Sequence, residues 1–134
     1  MRKLMILATL AAAACTMNEP SEADRSAHEA ALSAALAGYE ADGPPVDCVE
    51  MLQLGGNKSA GEAIVFEGKT RARLWVNHAP GGCPDLNLGR ALQTRTSQAR
   101  LCRGDIATVF DPVSGMSYGS CGLGDFQPYR RVAR

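Results

Sequence analysis

The chain is poor in aromatic side chains, at 5% of its 134 residues, and it holds only two histidines, His28 and His78. One tryptophan, three tyrosines and three phenylalanines offer little of the stacking surface on which single-stranded nucleic acids bind. Net charge is absent as well. Fourteen basic residues balance fourteen acidic ones, without the basic excess of a nucleic-acid-binding domain. His78 and Asp85 share the loop Asn77-His78-Ala79-Pro80-Gly81-Gly82-Cys83-Pro84-Asp85, but two groups fall short of the ligand set of a zinc site. The longest apolar stretch, Leu4 to Ala14, is 11 residues, where a helix crossing a bilayer needs roughly 20. No metal, cofactor or nucleic-acid partner is therefore expected, and no membrane-spanning helix.

That short apolar stretch has its own pattern. Arg2 and Lys3 precede it, and Ala11 to Ala14 lead into Cys15, as in a cleavable export signal. Leu10-Ala11-Ala12-Ala13-Ala14-Cys15 resembles a bacterial lipobox, with Ala12 where leucine is usual. Ala12-Ala13-Ala14 also fits an ordinary signal peptidase, and cysteine arithmetic separates the two readings. The cysteines stand at 15, 48, 83, 102 and 121; acylation of Cys15 leaves four that can pair fully, as exported proteins require. Residues 1–14 are thus expected to be a signal peptide and Cys15 the lipidated first residue of the mature protein. Thr16, rather than an acidic residue, resembles the sorting context of the outer membrane. The expected location is the bacterial envelope, held to the outer membrane and facing the periplasm.

Residues 15–45 read as a tether with one short helix, and 46–134 as the folded head. Ser26 and Glu29 form a capping-box pattern, His28, Leu32 and Leu36 recur on one helical face, and Gly38 with Asp42-Gly43-Pro44-Pro45 ends the run. A helix of this length is marginal alone, so it either docks Leu32, Leu36 and Tyr39 on the head or frays. Residues 16–45 carry six acidic residues and one basic, whereas 46–134 carry eight acidic and eleven basic. Electroneutrality thus conceals an acidic tether on a mildly basic head.

In the head, Val46 to Leu52 predicts a first strand, and Ala63–Glu67 with Ala72–Val76 a hairpin around Gly68-Lys69-Thr70. Ala91–Thr96 and Ala99–Cys102 read as a second pair. Asp105 to Asp111 alternates, with Ile106, Thr108 and Phe110 on one side and Ala107 and Val109 on the other, before Pro112–Gly115 turns the chain toward Met116–Cys121. Gly55 to Gly61 reads as a flexible hairpin loop. The expected fold is mainly β, a small disulfide-stapled antiparallel sheet or partly closed barrel, preceded by the tether helix. Among the three connectivities that four cysteines allow, a nested one is preferred, Cys48 with Cys121 and Cys83 with Cys102.

No catalytic residue is assigned. Asp85, Asp105, Asp111 and Asp125 each adjoin a turn residue or end a strand, where capping is the common role; Arg103 and Asp105 are expected to brace the strand from Ile106. Alternation along the hairpin puts Lys69, Arg71, Arg73 and Trp75 on one face, and Arg71, Arg73 and Trp75 are the expected contacts with an anionic lipid, polymer or protein of the envelope.

The segments Asp47-Cys48, Trp75-Val76-Asn77, Cys83-Pro84-Asp85-Leu86, Leu101-Cys102-Arg103-Gly104-Asp105-Ile106 and Cys121-Gly122-Leu123-Gly124-Asp125-Phe126 together resemble a family of small exported bacterial proteins of unknown function, from Val46 to about Gln127. The resemblance implies a stapled exported domain and transfers no reaction. The leading expectation is a non-enzymatic envelope lipoprotein. An inhibitor inserting the Pro80–Asp85 loop into an envelope hydrolase, and a small hydrolase, are the alternatives.

Overall fold

The structure is a computed structural model that describes residues 19–83, 85–86 and 90–133. The expected signal peptide and Cys15 lie outside the described residues.

Helix α1, Glu22–Ala35, begins at Ser21, whose hydroxyl accepts from the Asp24 N–H at 3.1 Å while the Asp24 carboxylate accepts from the Ser21 N–H at 3.2 Å. The capping box expected at Ser26 and Glu29 thus forms one turn and more earlier. Nothing between Pro20 and Ala31 breaks a helix, so the chain continues back to the first serine able to cap it. Gly38, at φ 83°, ends the helical region.

Ten strands follow. Strands β1 (Tyr39–Ala41), β3 (Leu54–Ala60), β4 (Ala63–Gly68), β5 (Arg73–Asn77) and β10 (Phe126–Arg131) form an antiparallel sheet in the order β1-β10-β5-β4-β3. Strands β6 (Ala91–Thr94), β8 (Ile106–Phe110) and β9 (Ser117–Gly122) form a second sheet, and β2 (Cys48–Glu50) pairs with β7 (Arg100–Cys102). The expected β4–β5 hairpin is present, as is the alternation of β8, where Ala107 and Val109 are fully buried. The sheets do not close into a barrel: β1 and β3 end the large one.

Two local expectations are corrected. The residues read as a flexible loop, Gly55 to Ala60, are strand β3, because pairing with the apolar β4 outweighs the poor strand propensity of two glycines. Only Gly61, at φ 63°, and Glu62 make the turn. Ala91–Thr96 and Ala99–Cys102 do not pair with each other. Their strands bond instead to β8 and β2, which offer buried partners on the inner face.

Strand alternation gives the large sheet two apolar faces. Ile64, Phe66, Trp75 and Phe126 point toward the smaller sheets and pack with Val49, Leu92, Leu101, Ala107, Val109 and Leu123. The Phe66 and Phe126 rings meet at 5.5 Å between centroids, tilted by 57°. On the opposite face, Ala63, Val65, Leu74 and Val76 are covered by Leu32, Ala35, Leu36, Tyr39 and Tyr129. The amphipathic helix therefore docks rather than frays, and the boundary expected at Val46 falls within the folded unit, since α1 covers the large sheet and β1 extends it. Among the described residues no helix is long and apolar enough to cross a membrane.

Candidate interaction surface

The disulfides organise the loops. Cys48 bonds Cys102 and Cys83 bonds Cys121, an interleaved connectivity in place of the nested one expected. The reason is strand order. Cys48 and Cys102 stand opposite each other in the β2–β7 pair, with Cα atoms 4.0 Å apart, whereas β9, which carries Cys121, pairs with β8. Cys83 is thereby fixed to β9 across a Cα separation of 5.0 Å, pinning the start of the Cys-Pro loop.

Alternation does place Arg73 and Trp75 on one side of β5, yet they do not form the expected contact face with Arg71. Trp75 faces the inner core and is 4% exposed, contributing only to the floor of two shallow clefts beside Gln53 and Arg73. Period two projects residues to a face without saying whether that face meets water or a second sheet. Arg73 donates to the Asp42 carboxylate at 3.1 Å. Directly across the β5–β10 pair stands Arg130, and Glu40 takes that second cation. Two acidic residues of the segment expected to be a tether, Glu40 and Asp42, thus neutralise two arginines of the head. Such exposed pairs contribute little individually, but here they relieve a like-charge pair across two strands.

The remaining basic residues divide the same way. Arg100 pairs with Glu50 at 2.9 Å, and Arg103 reaches Asp125 at 3.1 Å and Asp47 at 3.6 Å. Arg90 is withdrawn from the surface: its guanidinium lies 3.4 Å from the centroid of Tyr118 and its Nη1 sits 3.1 Å from Asp85, close enough for charge attraction but without hydrogen-bond alignment. Lys69, Arg71, Arg95 and Arg131 are exposed and form no ion pair among the described residues.

The four aspartates considered for acid–base chemistry serve structure. Asp105 accepts from the Cys102 N–H at 2.8 Å and braces the turn before β8, as expected of the Arg103-Gly104-Asp105 segment. Asp111 accepts from the Val113 N–H at 2.7 Å and from the Ser114 N–H, bonds that hold its carboxyl below the usual carboxylate range. Asp85 and Asp125 serve Arg90 and Arg103. The two histidines line one cleft of about 220 Å³ between α1 and the sheet, where His28 Nδ1 lies 3.5 Å from Glu62. Among the described residues no group of three or more His, Cys, Asp or Glu side chains is arranged to hold a metal ion.

Asn77 escaped sequence reasoning. Fully buried, it donates to the Gly124 carbonyl at 2.7 Å and accepts from the Gly124 N–H at 2.9 Å, clasping the β9–β10 connection to β5. Its only sequence signal was an asparagine at the end of an apolar strand, followed far along the chain by Gly122-Leu123-Gly124. Comparison of the chain with family models, with curated proteins and with solved structures returns no match.

Proposed function

We propose that this chain is a bacterial envelope lipoprotein, exported, acylated on Cys15 and held to the outer membrane on its periplasmic side, with a non-enzymatic structural or interaction role toward an anionic envelope component. One observation carries the reading: two disulfides consume Cys48, Cys83, Cys102 and Cys121, so Cys15 is the one cysteine of five outside them. Structural disulfides belong to oxidising compartments, and there a leftover thiol calls for its own chemistry. Its position after a basic and apolar leader supplies that chemistry. A multiply acylated cysteine anchors stably, where a single chain is marginal. The interaction role is supported by the cations that form no ion pair among the described residues, and by the engagement of each aspartate of the head considered for catalysis in a cap or a salt bridge.

Metabolic labelling with a palmitate analogue, followed by membrane fractionation, tests the anchor. The natural chain is expected to carry label and to sediment with membranes, and Cys15→Ser to lose both. An unlabelled natural chain, or a labelled Cys15→Ser chain, contradicts the proposal.

A further inference from the structure

The β4–β5 turn holds a residue that its backbone disfavours. Arg71 closes the turn by donating its N–H to the Gly68 carbonyl at 3.0 Å, and it does so at φ 55°, in the left-handed region where glycine or asparagine is the low-energy choice. The conformation is held from outside the turn. The Tyr39 hydroxyl donates to the Arg71 carbonyl at 2.8 Å, and the Arg131 N–H donates to the Ala72 carbonyl at 2.9 Å. Arg131 also lies 5.6 Å from the centroid of the Tyr39 ring. The turn residues Lys69 and Arg71 and the β10 residue Arg131 thereby share one pole of the large sheet, where Arg131 lines a cleft of about 680 Å³ with Thr70, Ala72, Gly38 and Val132. The next cations inward, Arg73 and Arg130, are neutralised by Asp42 and Glu40; these three are not paired among the described residues.

On the anchored reading, the chain from Cys15 joins the fold at the opposite pole. Helix α1 runs the length of the sheet, with His28 against Gly61 at the β3–β4 turn and Tyr39 reaching the β4–β5 turn. Its first residue, Glu22, therefore lies beyond the β3–β4 turn, seven positions after Cys15. Those seven residues span about 25 Å at full extension. Glu22, Asp24, Glu29 and Glu62 are exposed at that pole beside a single arginine, Arg25, so it offers an anion no cluster of cations.

We infer that Lys69, Arg71 and Arg131 form an anion-binding tip directed away from the anchoring bilayer, where it takes carboxylates of the wall polymer rather than phosphates of the anchoring lipid. The inference rests on the anchored reading above. Arginine in place of glycine at a left-handed turn position is the kind of local strain that a functional group accounts for.

Acylated protein in nanodiscs is the material for the test, with co-sedimentation on purified murein sacculi as the readout. On neutral discs the natural chain is expected to bind with a salt-dependent affinity about tenfold or more above that of the Lys69→Ser/Arg71→Gly/Arg131→Ser variant. Binding is expected to be unchanged when the disc contains phosphatidylglycerol. Arg71→Gly alone is expected to weaken binding while leaving the melting temperature unchanged or higher, since glycine accepts the turn conformation. Equal binding by the natural chain and the triple variant, absence of binding by both, or loss of binding on anionic discs overturns the inference. None of these outcomes removes acyl label from Cys15, so the anchored reading stands or falls separately.

Discussion

Asn77 and Gly124 illustrate how much of this fold depends on single polar contacts inside an apolar core. The Asn77 amide satisfies both backbone groups of Gly124, and the absence of a Cβ at Gly124 lets its backbone approach the His78 carbonyl. Replacing Asn77 by Ala leaves a buried N–H and a buried carbonyl without partners, so unfolding free energy is expected to fall by about 2–3 kcal/mol in urea titration; a change within about 0.5 kcal/mol contradicts this role. Gly124→Ala drives a methyl group into the His78 carbonyl and is expected to be at least as damaging. Asp111 makes a second residue-scale prediction. Backbone hydrogen bonds from Val113 and Ser114 favour its ionised form and depress its folded pKa. The associated stability is present above the ordinary carboxylate range and is lost as pH falls through the depressed value. A carbon-detected titration should place the Asp111 midpoint below that of an unfolded aspartate, and a midpoint at or above it contradicts the bonds. Arg73 and Trp75 show what the sequence could not convey at this scale: alternation set their shared side correctly, but only the smaller sheets determine that this side is interior.

Helix α1 is the element whose stability is most plainly tertiary. None of its residues is fully buried, it has two acidic residues in its first turn and no basic residue in its last, and its fourteen residues are marginal in water without a partner surface. What holds it is the apolar face of β4 and β5 under Leu32, Ala35 and Leu36, together with the close approach of His28 to Gly61. A Cβ on Gly61 would lie 2.7 Å from the His28 Cα, at a backbone φ of 63° that already resists a side chain. Gly61→Ala is therefore expected to raise amide exchange across α1 while sparing the inner strands β8 and β9. Uniform acceleration throughout the protein, or none in α1, contradicts the separate docking of the helix. The periodicity of His28, Leu32 and Leu36 made this docking face legible from sequence. The cap was not, because Ser21-x-x-Asp24 and Ser26-x-x-Glu29 offer the same chemistry and only the absence of a breaker between them selects the earlier one. Strand β3 was illegible for the opposite reason: its glycines signal a loop, and the pairing that overrides them comes from β4.

At the scale of the whole molecule, two sheets and a strand pair share one core, and of the two interleaved disulfides one cross-links the strand pair while the other ties the three-stranded sheet to the loop that carries Cys83. Their sequence separations are 54 and 38 residues. In the chain-entropy description each bond restricts the unfolded chain by about 4 kcal/mol, a large share of the roughly 5–15 kcal/mol that stabilises a typical domain. Replacing either pair by alanines is expected to lower stability by about 2–4 kcal/mol, measured by urea unfolding, and an unchanged midpoint contradicts that contribution. Pairing itself was legible from the even count of head cysteines; connectivity was not, since it follows from which strands are neighbours. Both the disulfides and the proposed anchor enter one quantity, the intact mass of protein extracted from membranes without reduction. The expected mass is that of the chain from Cys15 to Arg134, increased by the acyl groups of a lipidated N-terminal cysteine and decreased by the four hydrogens lost in forming two disulfides. A mass lacking the acyl groups, or one retaining any of those four hydrogens, contradicts the account.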